Sequence, residues 1–241
     1  MVDNLKPTLY KMCKSLKKET FPNNSNFTYD EWVTNIFMNE ELSGSTNYHT
    51  DKYYLHSYMP VYDKLFENYR NNDINILEIG IQQGGSVYLW SKYFTNASIF
   101  GVDIEDSPKW LKDVSGVTTF KENAYSKEGL NLFNDNMFDI LIDDGPHTLN
   151  SMKYVAKNYM CKMKRNGMLI IEDIPEYEWI EEILNEIPKD IDYKYEIHDL
   201  REKKNRFDDI MLVIFITHTP LSRAYKSFVK QMTTNLNYIL S

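Results

Sequence analysis

Cysteine is scarce in this sequence: Cys13 and Cys161 are the only two in 241 residues, far apart and without metal-ligand spacing. Their scarcity argues against a cysteine-held metal, and it predicts a reduced, cytoplasmic protein. Basic charge is also short. The 27 Lys and Arg against 35 Asp and Glu leave a net charge of −8, which excludes the broad basic footprint with which proteins grip a nucleic-acid backbone. One local cluster, Lys11, Lys14, Lys17 and Lys18, reads as a solvated helix face. No apolar run approaches the roughly 18 residues that a membrane span requires. The start of the chain lacks the apolar stretch of a signal peptide, and there are no internal repeats or low-complexity tracts. What remains is a 42% hydrophobic chain of a length that suits one sizeable domain with elaborations.

From about residue 74, short apolar runs alternate with helical patterns. The runs are "INILEIGI" (74–81), "SIFGVDI" (98–104), "VTTFKENA" (117–124), "FDILIDDG" (138–145) and "GMLIIEDI" (167–174). The intervening "SVYLWSKYF", "SPKWLKDV", "SKEGLNLF" and "LNSMKYVAKNYMCKM" carry apolar residues at helical spacing. Near-continuous apolar strands separated by helices predict an α/β fold, with a parallel sheet covered on both faces. A helix at about 176–187 follows, then "YKYEIHDL" and "DIMLVIFIT" (209–217), joined by a segment too short for a crossover helix. These two should pair antiparallel at an edge. The expected organisation is an irregular, Tyr-rich helical cap over 1–70, a core over 71–218 and a helical tail over 219–241.

In open α/β sheets ligands bind beyond the carboxyl ends of the strands. The first such end reads "LEIGIQQGGS", with Glu78 in the strand, then Gly80, then Gly84, Gly85 and Ser86 at a helix start. Gln82 stands where a dinucleotide fingerprint has its second glycine and obstructs a pyrophosphate. A smaller ligand such as S-adenosylmethionine fits better. Asp103 ends the next strand as a candidate bidentate acceptor for two ribose hydroxyls, and Asn123 at the third is a candidate partner for the adenine edge.

The fourth and fifth strands end in "IDDGPH" and "IIEDI", bringing Asp143, Asp144, Glu172 and Asp173 to one rim if those strands are neighbours. Strand geometry alternates side chains between faces, so not all four can enter one site unless the strand ends have become loops. By the same alternation Asp143 should face away from Asp144, with the cofactor-side residues, and hold the loop. Acids gathered in a half-buried cleft resist ionisation unless a cation neutralises them, and Mg²⁺ with its oxygen ligands is the natural choice. His147, one turn beyond Asp144, suits a general base.

Together these motifs resemble the metal-dependent sugar O-methyltransferases of the macrocin and mycinamicin type. That group includes rhamnosyl methyltransferases and neighbours the so-called cephalosporin hydroxylases. The resemblance spans about residues 48 to 175: "TDKYYLHSYMPVYDKLF", "LEIGIQQGGSVYLWSKYFTNASIFGVDI", "FDILIDDGPH" and "GMLIIEDI". It departs at Pro146, where Ser is common, and at "ENAY" in place of "GDQS". The resemblance implies a Rossmann-like class I methyltransferase sheet in the order 3-2-1-4-5-7-6. It also implies Mg²⁺ on Asp144, Glu172 and Asp173, His147 as base, and Glu78, Gly80, Asp103 and Asn123 at the cofactor. Membership of an oligomer is implied as well.

The expected reaction moves a methyl group from S-adenosylmethionine to a sugar hydroxyl, which a metal and a nearby base would activate. Tyr53, Tyr54, His56 and Tyr58 are candidates to line the sugar pocket. The alternatives are a phenol or catechol acceptor, a metal-dependent hydrolase, or a non-catalytic binding module.

Overall fold

The computed structural model describes residues 50–217. The lysine cluster, most of the proposed N-terminal cap and the tail after Pro220 lie outside the described residues, as do the side chains of Tyr53 and Tyr54. Seven strands, β1 (Asp73–Ile79), β2 (Asn96–Asp103), β3 (Val117–Lys121), β4 (Phe138–Asp143), β5 (Met163–Ile171), β6 (Tyr193–Asp199) and β7 (Ile210–Ile216), form one sheet. Their order is β3-β2-β1-β4-β5-β7-β6, as expected. Pairing is parallel throughout except that β7 runs antiparallel to both β5 and β6. Asp199 to Ile210 is joined by only one helical turn, α7 (Arg201–Lys204). Such a connection permits nothing but an antiparallel neighbour.

Alternation along the strands divides the core into two layers. Leu77, Ile79, Leu141, Leu169, Ile171, Leu212 and Ile214 pack on one face, against α5 (Leu149–Asn158) and α6 (Trp179–Leu184). Ile74, Ile76, Ile140, Ile142, Met168, Ile170, Met211 and Val213 pack on the other, against α2 (Met59–Phe66) and α3 (Gly85–Tyr93). Burial on both faces is why these runs read as nearly unbroken apolar segments. The described part of the N-terminal segment belongs to this second layer. Tyr58, Tyr62 and Phe66, spaced four apart, join this cluster: Tyr62 and Phe66 meet Trp90, and Phe66 also meets Phe94.

Two expected helices are shorter than their patterns. "SPKWLKDV" yields a 3-10 turn, Lys109–Asp113, pinned between extended Pro108 and Val114. "SKEGLNLF" yields one turn, α4 (Lys127–Leu130), capped by the Ser126 hydroxyl on the Gly129 amide. In both, local apolar spacing overstated the length that the surrounding packing allows.

The turn after β1 is pressed against the end of β4. Gly80 has φ 81°, and a Cβ there would sit 1.9 Å from the Asp144 carbonyl oxygen. Replacing Gly80 with Ala should therefore cost at least roughly 3 kcal/mol, combining left-handed strain with a backbone clash. Urea denaturation reads this directly; a loss below about 1 kcal/mol would show that the turn is not wedged.

Candidate active site

Three carboxylates, Glu78, Asp144 and Glu172, come from the ends of the neighbouring strands β1, β4 and β5. All three continue the parity of the strand positions that face α2 and α3. They meet one cation. Lys52, in α1 (Asp51–Tyr54), is 1% exposed, and its Nζ bonds Asp144 Oδ2 and Glu172 Oε2 (2.5 Å for the latter) and lies 3.3 Å from Glu78 Oε1. Burial alone would lower the Lys52 pKa, but attraction to Asp144, Glu172 and Glu78 outweighs it and holds the ammonium well above its ordinary value. Glu172 gives its other oxygen to the Tyr62 hydroxyl, and Glu78 accepts from the Trp90 indole at 2.8 Å.

Asp143 points the opposite way, as alternation predicts, and accepts from the Tyr125 hydroxyl at 2.5 Å. Burial pushes its carboxyl up to about 6 against the Tyr125 and Gly145 hydrogen bonds. The puzzle of four acids at one rim is settled by the backbone. Strand β5 stops at Ile171, and Asp173, beyond it, adopts a left-handed conformation with φ 54°. Alternation no longer applies, and Asp173 joins the same side as Asp144. The Tyr58 hydroxyl donates to Asp173 Oδ1 (2.6 Å) while accepting from the Asp173 amide (3.2 Å). His56 Nδ1 lies 3.1 Å from the same carboxylate oxygen and 3.0 Å from Asp209.

His147 is placed by the loop that Thr148 ends. Thr148 caps α5 in a reciprocal capping box with Ser151, so the chain turns between Asp143 and Thr148. His147, also left-handed at φ 50°, sets its Nε2 3.8 Å from Asp144 Oδ1 and 3.6 Å from Asp173 Oδ2. Ligand atoms of Asp144, His147 and Asp173 all lie within 4.8 Å of one another. The His147 side chain is 35% exposed, the most open of the three. Burial holds its pKa below the usual imidazole value, so the ring is neutral at pH 7. Burial raises Asp144 well above the carboxylate range and Glu172 to about 7, with Lys52 opposing both shifts. The cluster thus holds more acid than its internal cations offset, which is the condition a bound divalent ion relieves.

Several assignments are revised by this geometry. His56 and Tyr58 do not line an open pocket; both are buried under the acids and hold Asp173. Glu78 is 0% exposed, accepts from the Trp90 indole and lies 3.3 Å from Lys52. Glu172 has both oxygens engaged and is absent from the cluster of close ligand atoms. Asp103 accepts from the amides of Ile81, Gln82 and Glu105 at 2.9, 2.9 and 3.0 Å. Three of a carboxylate's roughly four lone-pair positions are then taken, leaving capacity for one more donor rather than two. Gln82 takes the left-handed turn, with φ 41°, that a glycine would occupy. Gly84 accommodates Leu111, whose Cδ1 a Cβ there would meet at 2.4 Å, and Ser86 is buried in the first turn of α3. Asn123 accepts from the Tyr125 amide at 3.0 Å.

No protein-family model matches the chain. It is 31% identical over 145 residues to mycinamicin VI 2''-O-methyltransferase of Micromonospora griseorubida, covering 56% of this chain and 36% of that protein. Over 134 residues it is 31% identical to demethylmacrocin O-methyltransferase of Streptomyces fradiae, covering 52% and 33%. The chain spans about a third of the length of these curated relatives. Among solved structures it matches the MycE methyltransferase of the mycinamycin biosynthetic pathway, in complex with Mg, SAH and mycinamycin VI. The TM-score is 0.55 at 20% identity, over 80% of this chain and 64% of that one.

The fold is that of a class I methyltransferase. Within this methyltransferase fold, the residues that sequence reading missed are Lys52, Tyr62, Trp90, Tyr125 and Asp209. Lys52 stood in the "TDK" motif without a role, and the spacing of Tyr58, Tyr62 and Phe66 by fours was the available signal that this segment packs inward.

Two measurements test the electrostatics. Lys52→Met leaves buried carboxylates without their cation and should cost about 3–5 kcal/mol in a denaturant titration; a loss under about 1 kcal/mol would refute the ion-pair geometry. For Asp143 the folded pKa lies above the unfolded one, so the folded state binds the proton more tightly and stability falls as pH rises from about 4 to about 6. Asp143→Asn should remove that slope, gaining on the order of 2–3 kcal/mol relative to wild type across the window. Parallel profiles for the two proteins would contradict it.

Proposed function

We propose that this chain is an S-adenosylmethionine-dependent O-methyltransferase acting on a sugar hydroxyl, assisted by Mg²⁺ or a similar divalent cation. The observation that carries this reading is the convergence of Asp144, His147 and Asp173 at the carboxyl ends of β4 and β5, beside the Gly80 turn. Similarity to O-methyltransferases of glycosylated antibiotics, over the stretch bearing these motifs, supports it.

The donor set fits a hard cation. Asp144 Oδ1 and Asp173 Oδ2 are the oxygens that face His147, and they sit in a cluster with excess acid. Of the three acids that the resemblance assigns to the ion, these two are the ones whose free oxygens meet. A divalent ion held there supplies Lewis acidity that favours the alkoxide form of an acceptor hydroxyl.

The remaining work falls to the chain. His147, neutral and partly exposed, takes the hydroxyl proton on Nε2. Asp144 and Asp173 stand 3.8 and 3.6 Å from that nitrogen and stabilise the imidazolium that results. Tyr58 and His56 fix Asp173 in position, so that acceptor and methyl donor meet in one geometry. Gly80, bare of a side chain, and the last acceptor position on Asp103 suit the cofactor's amino-acid end and a ribose hydroxyl.

The reading takes a glycoside or glycan as acceptor rather than nucleic acid, in keeping with the net charge of −8. No helix among the described residues is long and apolar enough to cross a membrane. A cytoplasmic setting and assembly into a homo-oligomer complete the proposal.

The test is incubation with labelled S-adenosylmethionine and a panel of deoxysugar glycosides and catechols, with and without EDTA. Label should enter a glycoside and be lost with EDTA; transfer to catechols alone would refute the sugar assignment. Calorimetry should show S-adenosylhomocysteine binding, and its absence would sink the methyltransferase reading. His147→Ala should leave that binding within about twofold while lowering turnover by roughly 10²–10⁴-fold, the usual worth of a general base.

A further inference from the structure

A second recess opens at the same end of the sheet as the acid rim. It is an open cleft of about 870 Å³ in the connection from β6 to β7, and Asp199, Arg201, Arg206 and Phe207 are among the residues that line it. That volume falls in the usual range for a small-molecule site. Because β7 runs antiparallel to both β5 and β6, this connection emerges on the Asp173 side. Sheet order sets the end of β6 two strand spacings from β5, roughly 10 Å. The loop is also tied to the residues that brace Asp173. Lys204 donates to the His56 carbonyl at 2.7 Å, and the Tyr58 hydroxyl lies 3.5 Å from the Asp208 carbonyl.

The lining suits a ring with an apolar face and a hydroxylated edge. Phe207 is 71% exposed, the most open large hydrophobic side chain among the described residues. Its phenyl face is available to C–H groups of a ligand. Arg201 forks Asp199 through Nε and Nη2 at 2.9 and 2.6 Å, and Arg206 forks Asp208 in the same way at 3.1 and 2.8 Å. The forks hold both guanidinium planes in place, and each leaves three of the five N–H donors outside the pair. Charge around the cleft is balanced, with Arg201, Lys203 and Arg206 against Asp199, Glu202 and Asp208. A diphosphate would find no spare positive charge there, whereas sugar hydroxyls need only the donors.

We propose that this cleft is a second sugar subsite, in which Phe207 stacks on a neutral pyranose ring and Arg201 and Arg206 donate to its hydroxyls. The inference rests on the sugar-hydroxyl reading above and sharpens its acceptor. That acceptor is a neutral glycan of at least two residues, with the reacting sugar at His147 and its neighbour on Phe207. A nucleotide-linked sugar does not fit this arrangement.

Two arms test it on the full chain. The first reads binding without turnover, on an array of neutral mono- and oligosaccharides with sulfated glycans and nucleoside-diphosphate sugars as charged members. Wild type should bind neutral oligosaccharides. Phe207→Ala should weaken that binding roughly three- to tenfold, Phe207→Trp should restore it, and Arg201→Gln should weaken it about tenfold. These are exposed or half-exposed positions, where substitutions leave the fold intact. Binding confined to the charged members, or no loss in Phe207→Ala, would overturn the proposal.

The second arm uses labelled S-adenosylmethionine and two acceptors that share a reacting sugar, one a simple glycoside and the other extended by one residue. Wild type should favour the longer acceptor at least roughly fivefold in kcat/KM, and Phe207→Ala should bring that ratio close to one. Tyr195→Ala, on β6 outside the cleft, should keep the wild-type ratio. Label transfer with no preference for the longer acceptor would overturn the subsite and leave the methyltransferase reading standing. If no glycoside takes label, the sugar-transfer reading fails, and the array still judges the cleft by itself.

Discussion

The structure depends on one electrostatic constraint: more carboxylate is buried at the end of the sheet than the surrounding chain can neutralise. A buried ion pair is costly unless its geometry and hydrogen bonds are good, and breaking one costs more still. Lys52 meets that condition by touching acids from three adjacent strands at once. The trio also binds the N-terminal segment to the sheet, because α1 and α2 must dock before Glu78, Asp144 and Glu172 find their cation. Tyr62 and Phe66 make that docking favourable by burying aromatic surface against Trp90 and Phe94. Packing and charge compensation are thus one event rather than two.

Much of this was legible in the sequence because it follows from periodicity. The strand runs are apolar on both faces, so their number and direction were accessible, while their order was implied by the family resemblance. The different orientations of Asp143 and Asp144 followed from alternation alone, and the structure has Tyr125 on one and Lys52 on the other. What could not be read depended on distant partners. Lys52 reaches Asp144 across 92 residues and Glu172 across 120, and His56 reaches Asp209 across 153. Nothing local announces such pairs. His56 and Tyr58 were assigned to a sugar pocket because they stand near other aromatics, whereas in three dimensions they are braces beneath Asp173.

The glycine loop illustrates an intermediate case. Its replacement of a fingerprint glycine by Gln82 was visible, and it argued against a close backbone approach by a pyrophosphate. Yet the turn keeps the left-handed conformation at that residue, stabilised by Asp103 through the amides of Ile81 and Gln82. Asp103 is therefore a structural member of the loop as well as a neighbour of the cleft. Composition reveals the residue; only the fold reveals how much of its hydrogen-bonding capacity is already used.

Asp173 and His147 share a property with consequences for how this site can vary over time. Both sit in left-handed backbone, a conformation that short polar residues and His tolerate and that β-branched or bulky residues do not. Asn would satisfy the backbone at position 173 but remove the negative charge, and Glu would keep the charge but strain the turn. Two independent filters, one conformational and one electrostatic, thus overlap on a single residue. The alphabet open to drift there is close to one letter, whereas Glu172, in ordinary backbone next door, answers mainly to the company it keeps.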